Sequence, residues 1–180
     1  MAEQRTGLPA RADVFRLADA GRRFAGDLAQ ADLGRLAGLL AGREGTLAYR
    51  LDFHRDAEGR AVARLRLDGQ LDLVCQRCMG AMPWTLAVET ELAFFTHEVE
   101  IGEAETHYEP VILEEETVSL KDLIEEEILL ALPQVAMHAA DACEASRLIE
   151  ALAEDETSRE DDRPFAALAA LKRKDTQNSD

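Results

Sequence analysis

Several things are scarce in this chain of 180 residues, and each scarcity excludes something. Cysteine occurs three times, an odd and small number that rules against a disulfide framework and points to a reducing compartment. The first residues hold no apolar signal segment, because Arg11, Asp13, Arg16, Asp19, Arg22 and Arg23 interrupt any such run. No uninterrupted apolar stretch reaches the length of a membrane span. A soluble cytoplasmic protein is the expectation. Catalytic signatures are also missing: there is no Ser/His/Asp order, no phosphate-cradling glycine loop and no H-E-x-x-H, so an enzyme is not expected. Aromatics are only 5% of residues, yet a hydrophobic content of 47% suffices for a real core.

Positive charge is scarce in one half only. Residues 1–90 carry 13 Lys/Arg against 12 Asp/Glu, whereas residues 91–180 carry 7 against 24, which concentrates the net charge of −16 in the second half. Such a surface repels phosphate, so broad non-specific binding to naked nucleic acid is not expected, and basic proteins become the more natural partners. Arg50, Arg64 and Arg66 lie on the outward positions of two alternating segments. A solvated strand face explains them more simply than an RNA contact does.

What is present centres on Cys75-Gln76-Arg77-Cys78. Gln70 to Val74 before it and Trp84 to Phe95 after it alternate apolar and polar residues, so two strands meet at a turn carrying two thiols. A C-x-x-C in a turn is half of a tetrahedral zinc site. The third cysteine, Cys143, follows His138 by five positions, and the two supply the missing pair. The candidate ligands are therefore Cys75, Cys78, His138 and Cys143, with Arg77 placed to offset the negative charge of three thiolates, an imidazole and Zn2+. A metal-free cluster of buried thiols is the competing reading. A redox pair fits less well, because Met79-Gly80-Ala81-Met82-Pro83 leads into a strand and not a helix. His54, His97 and His107 lack ligand spacing and read as surface or strand residues.

Along the rest of the chain, Val14, Phe15 and Leu17 suggest an entering strand, and Asp32 caps an expected short helix with Leu36, Leu39 and Leu40 as its stripe, ended by Gly42. Residues 46–53 and 61–67 alternate as a hairpin around the Asp56–Gly59 turn, and Asp68-Gly69 reads as another turn. Residues 98–118 suit one or two edge strands. Ser119, with Asp122 three positions on, opens the clearest helix, whose stripe is Leu120, Leu123, Ile124 and Ile128 and which Pro133 stops. Glu125, Glu126 and Glu127 read as its solvated side. The expected fold is α+β: an antiparallel sheet or small barrel of five to seven strands with two or three helices. A single domain over residues 1–148 is followed by an acidic flexible linker at 149–163 and a short amphipathic helix at 164–174. In that helix Pro164 takes the first position, Phe165, Leu168 and Leu171 share a face, and Lys172, Arg173 and Lys174 suit the C-terminal dipole. These residues form the expected partner-binding segment, since so short a helix needs a surface to dock on.

Three segments together resemble the YceD family, the large ribosomal RNA subunit accumulation proteins. They are Leu73-Val74-Cys75-Gln76-Arg77-Cys78, then Asp122-Leu123-Ile124-Glu125-Glu126-Glu127-Ile128-Leu129-Leu130-Ala131-Leu132-Pro133 running on to His138 and Cys143, and Pro164-Phe165-Ala166-Ala167-Leu168-Ala169-Ala170-Leu171-Lys172-Arg173-Lys174. The family often has a second proline shortly before the histidine, where this chain has Ala136. The resemblance implies a cytoplasmic, non-enzymatic factor for accumulation of large-subunit (23S) ribosomal RNA. The acidic half adds a mechanism: an adaptor for a basic large-subunit ribosomal protein or pre-ribosomal particle, with weak contact to rRNA. The alternative is a zinc- or thiol-dependent, redox-switched regulatory binding protein.

Overall fold

The computed structural model describes residues 7–97, 108–115, 117–146, 148, 149 and 152. The chain divides into two compact units, Met1–Met137 and His138–Asp180. The first is α+β. Its sheet holds five strands in sequence order: β1 (Arg23–Ala29), β2 (Thr46–Arg55), β3 (Ala61–Val74), β4 (Ala81–Phe95) and β5 (Glu109–Ile112). The first four pair antiparallel, and β5 joins the end of β4 in parallel. The expected sheet is thus present, open and not closed into a barrel.

Alternation decides which face is buried. On β2 and β3 the odd-numbered residues Leu47, Tyr49, Leu51, Phe53, Leu65, Leu67, Leu71 and Leu73 are all buried. Phe53 links neighbouring strands, lying edge-on to Phe24 and stacked on Phe94 with centroids 6.1 and 6.3 Å away. Helix α2 (Leu120–Ala131) packs on β4 and buries Leu120, Ile124 and Ile128, each worth about 1.5–3 kcal/mol when fully removed from water. Ser119 accepts the Asp122 N–H at 3.2 Å, as its spacing predicts. No helix among the described residues is long and apolar enough to cross a membrane.

Four local expectations are corrected. Val14 to Asp19 form a helix, α1, because Asp13 Oδ1 accepts the N–H groups of Phe15 and Arg16 and caps it. The expected helix after Asp32 is replaced by a 3-10 turn at Gln30–Asp32 and a run of turns, in which Gly34 and Gly38 weaken helix formation. Leu33, Leu36 and Leu40 are buried there, but Leu39 is exposed. Asp68-Gly69 is no turn: β3 runs straight through it, and a Cβ on Gly69 would stand 2.5 Å from the Leu47 side chain. Glycine is there because β2 crosses close by.

The fourth correction concerns α2. Glu126 is exposed, but Glu125 and Glu127 are buried. Glu125 Oε2 accepts the backbone N–H of Arg35 at 2.8 Å, and Arg35 also pairs with Glu126 at 3.3 Å, so the helix's acidic residues pin the turn segment in place. Burial pushes the Glu127 carboxyl above its ordinary value of 4.5, and repulsion from Glu109 and Glu126 adds to this. A folded-state acid with a raised pKa opposes folding above that pKa and stops doing so as it protonates. Glu127→Gln is therefore expected to melt higher than the unsubstituted chain at neutral pH. The gap should close as pH falls through the raised pKa toward 4.5, which paired thermal melts across pH would read.

Candidate metal centre

The turn between β3 and β4 is built by its own backbone. Cys75 N–H donates to the Gly80 carbonyl at 2.9 Å, and Met79 N–H returns to the Cys75 carbonyl at 2.8 Å. Closing so tightly puts Met79 in the left-handed region, at φ 59°. The segment beyond α2 is tied to the same turn, since Gln76 N–H donates to the Ala136 carbonyl at 2.8 Å. Only the carbonyl is used, which a proline at that position would also offer. The Arg77 guanidinium lies 3.6 Å from the Met137 sulfur. His138 follows directly.

Cys75, Cys78, His138 and Cys143 each offer one ligand atom, and together they are a group that could hold a metal ion. Cys75 and Cys143 are buried, Cys78 and His138 half-buried, and no disulfide joins the cysteines. Zinc takes four such ligands in a tetrahedron, with thiolate sulfurs about 2.3 Å from the ion. Three sulfurs and one imidazole are also a donor set that suits zinc. In the second unit a 3-10 turn, Ala140–Ala142, leads into Cys143, whose carbonyl accepts the Ser146 N–H at 3.0 Å. Among the described residues, the four that the spacing predicts are a group that could hold a metal ion. His54 lies in β2 and His97 is exposed, while His107 is outside the described residues.

The arginine face is the other sequence candidate. Arg64 meets Glu91 at 2.5 Å, Arg66 meets Glu89 at 2.7 Å and Arg50 meets Asp52 at 2.8 Å. The β3–β4 register places Arg64 opposite Glu91 and Arg66 opposite Glu89, so the pairing is set by the sheet. Each positive charge there is matched by a carboxylate. The expected partner-binding segment, Pro164, Phe165, Leu168, Leu171, Lys172 and Arg173, lies outside the described residues.

Residues 63–172 match the family described as Large ribosomal RNA subunit accumulation protein YceD. The chain belongs to the YceD family. A Haemophilus influenzae protein named Large ribosomal RNA subunit accumulation protein YceD is 30% identical over 177 residues, covering 95% of this chain and 99% of that protein. No solved structure matches. The YceD match contains all four cluster residues, together with α2, β4 and β3 from Ala63 onward.

Two features of this YceD chain escaped the sequence reading. Met79 has an unusual backbone that no periodicity signals, and the inward carboxylate of Glu125 was hidden in a run of three glutamates.

Proposed function

We propose that this chain is a non-enzymatic cytoplasmic factor for the accumulation of large-subunit ribosomal RNA, acting as an acidic adaptor whose thiol-imidazole cluster holds a structural zinc ion. Family membership supports the ribosomal role: both the matching family and its Haemophilus relative are named for large ribosomal RNA subunit accumulation. The observation that carries the adaptor reading is electrostatic. The chain has a net charge of −16, and Arg50, Arg64 and Arg66, the cations placed to meet RNA, are each engaged by a carboxylate. Phosphate binding gains affinity when uncompensated Lys and Arg displace the counterions condensed on the nucleic acid, and this face leaves none of the three arginines uncompensated. A basic ribosomal protein gains from the same surface that RNA loses to.

Zinc enters as a scaffold. Bound to Cys75, Cys78, His138 and Cys143, it would supply coordination alone, since four protein ligands leave no open position for water or substrate. Arg77, beside the cluster in sequence, would offset its negative charge. Loss of the chain from cells is expected to lower the ratio of large-subunit to small-subunit rRNA, with restoration by the intact gene. An unchanged ratio, measured on total RNA from growing cells, would remove the ribosomal role.

A further inference from the structure

Strand β4 is paired along nearly its whole length on one side only. β3 pairs with residues 81–94, whereas β5 on the other side pairs only with Leu92–Phe95. The register shows which groups the remaining edge presents. Asp72 and Val74 turn away from β4, since the Asp72 carbonyl accepts the Ala41 N–H at 2.7 Å and the Val74 N–H donates to the Leu39 carbonyl at 3.0 Å. By alternation Leu71 and Leu73 bond to their partners Trp84 and Met82, and Pro83, Thr85, Ala87 and Glu89 direct their backbone groups outward. Two residues confirm this phase: Pro83 has no N–H to leave unpaired, and the Phe95 carbonyl accepts the Leu113 N–H at 2.8 Å. Thr85, Ala87 and Glu89 are exposed, and their N–H and carbonyl groups meet no backbone partner among the described residues.

A row of free strand donors and acceptors is matched by another extended backbone. The flanking side chains select its chemistry. Trp84, the one tryptophan of the chain, and Val88 share the face of the buried Met82 and Leu86 yet are only half-buried, so an added strand with an apolar side would complete their cover. Where β5 starts, at the head of this edge, Glu109 is exposed and Glu127 is 8% exposed. The two carboxylates repel one another, and neither has an ion-pair partner among the described residues. Glu89 differs, because Arg66 meets its charge. A carboxylate withdrawn from water without a counter-ion favours a cation from outside, and the same charge, with −16 on the whole chain, disfavours a second copy.

We propose that the outer edge of β4 takes an extended segment of a basic protein as an added strand, its backbone pairing with Thr85, Ala87 and Glu89, its apolar side covering Trp84 and Val88, and a Lys or Arg meeting Glu109 and Glu127. The inference rests on the acidic-adaptor reading and adds the place and the mode of contact.

The test uses the full chain, Ala87→Pro, which removes one outward N–H as Pro83 already does, and the paired variant Glu109→Gln/Glu127→Gln. The probes are peptides of about seven residues, one alternating valine and lysine, one with glutamate replacing lysine and one methylated at its amide nitrogens, together with salt-stripped large-subunit ribosomal proteins. The valine-lysine peptide is expected to bind the unsubstituted chain and shift the fluorescence of Trp84. It is expected to bind each variant about tenfold more weakly, and the paired variant with a shallower salt dependence. Equal binding by Ala87→Pro would overturn the added strand; if that variant does not fold, equal binding of the methylated peptide would do the same. Equal binding of the glutamate peptide, or by the paired variant, would overturn the basic occupant. Binding that leaves Trp84 fluorescence unmoved would overturn the place, and no binding would overturn the whole. Self-association of the unsubstituted chain, lost in Ala87→Pro, would assign the edge to a second copy and overturn the proposal. Ribosomal proteins bound equally by chain and variants would sink the edge and leave the adaptor standing; ribosomal proteins not bound at all would sink both.

Discussion

Protein purified without chelator is expected to carry close to one zinc ion per chain, and Cys143→Ser is expected to lose it. A closed structural site contributes its binding free energy directly to folding, because the unfolded chain does not hold the ligands together. Cys143 is buried among the four-residue cluster, so serine there would remove a ligand and leave a hydroxyl in its place. The expected loss is about 4 kcal/mol, which at this chain length lowers the melting temperature by roughly 10 °C. Chelation should destabilise the unsubstituted chain in the same direction and leave the variant unmoved. Thiol titration separates this from the redox reading. Zinc hides cysteines that reappear with chelator, whereas a Cys75–Cys78 disulfide would hide two that reappear only with reductant. Metal-free protein whose stability is unchanged by Cys143→Ser would return the thiols to ordinary core.

Removing residues 164–180 is expected to leave the melting temperature of the body unchanged and to abolish association with ribosomal precursors. The helix expected over residues 164–174 would be too short to hold itself in water, so its stripe of Phe165, Leu168 and Leu171 would need a surface to cover it. The acidic stretch before it, with Glu154-Asp155-Glu156 and Glu160-Asp161-Asp162, is a poor way to reach the protein's own core and a good way to reach a partner. Lys172, Arg173 and Lys174 would then offer a positive cluster to rRNA phosphate or to an acidic site on the assembling subunit. Sedimentation of the truncated chain against pre-ribosomal particles, with the rRNA ratio as readout in cells, decides this. A truncated body that unfolds makes the segment ordinary packing. One that complements fully makes it dispensable.

What could be read from the sequence was whatever period and capping chemistry encode. The alternation of Leu47, Tyr49, Leu51 and Phe53 placed β2, and Ser119 placed α2 to the residue. The candidate cluster was legible because Cys143 is the one cysteine outside the turn and His138 stands five positions before it. Glycines misled where their purpose was tertiary. Gly69 answers to Leu47 on another strand, a contact that no local pattern shows. Asp13 was a cap in a stretch too short to display a helical stripe, so α1 read as a strand. Glu125 and Glu127 were hidden by composition, since a run of three glutamates looks solvated until the Arg35 backbone and the buried side of α2 are in place. The parallel pairing of β5 follows from where the chain returns, which no alternation encodes.

The adaptor reading is tested most directly by offering the full chain, side by side at physiological salt, naked large-subunit rRNA and the salt-stripped proteins of the large subunit. The account predicts tight binding to one or more of the basic proteins, weakening steeply as salt rises, together with weak, sequence-indifferent binding to the RNA. Tight, sequence-selective binding to the RNA by the isolated chain would contradict it, and would turn attention to how Arg50, Arg64 and Arg66 leave their carboxylate partners to meet phosphate.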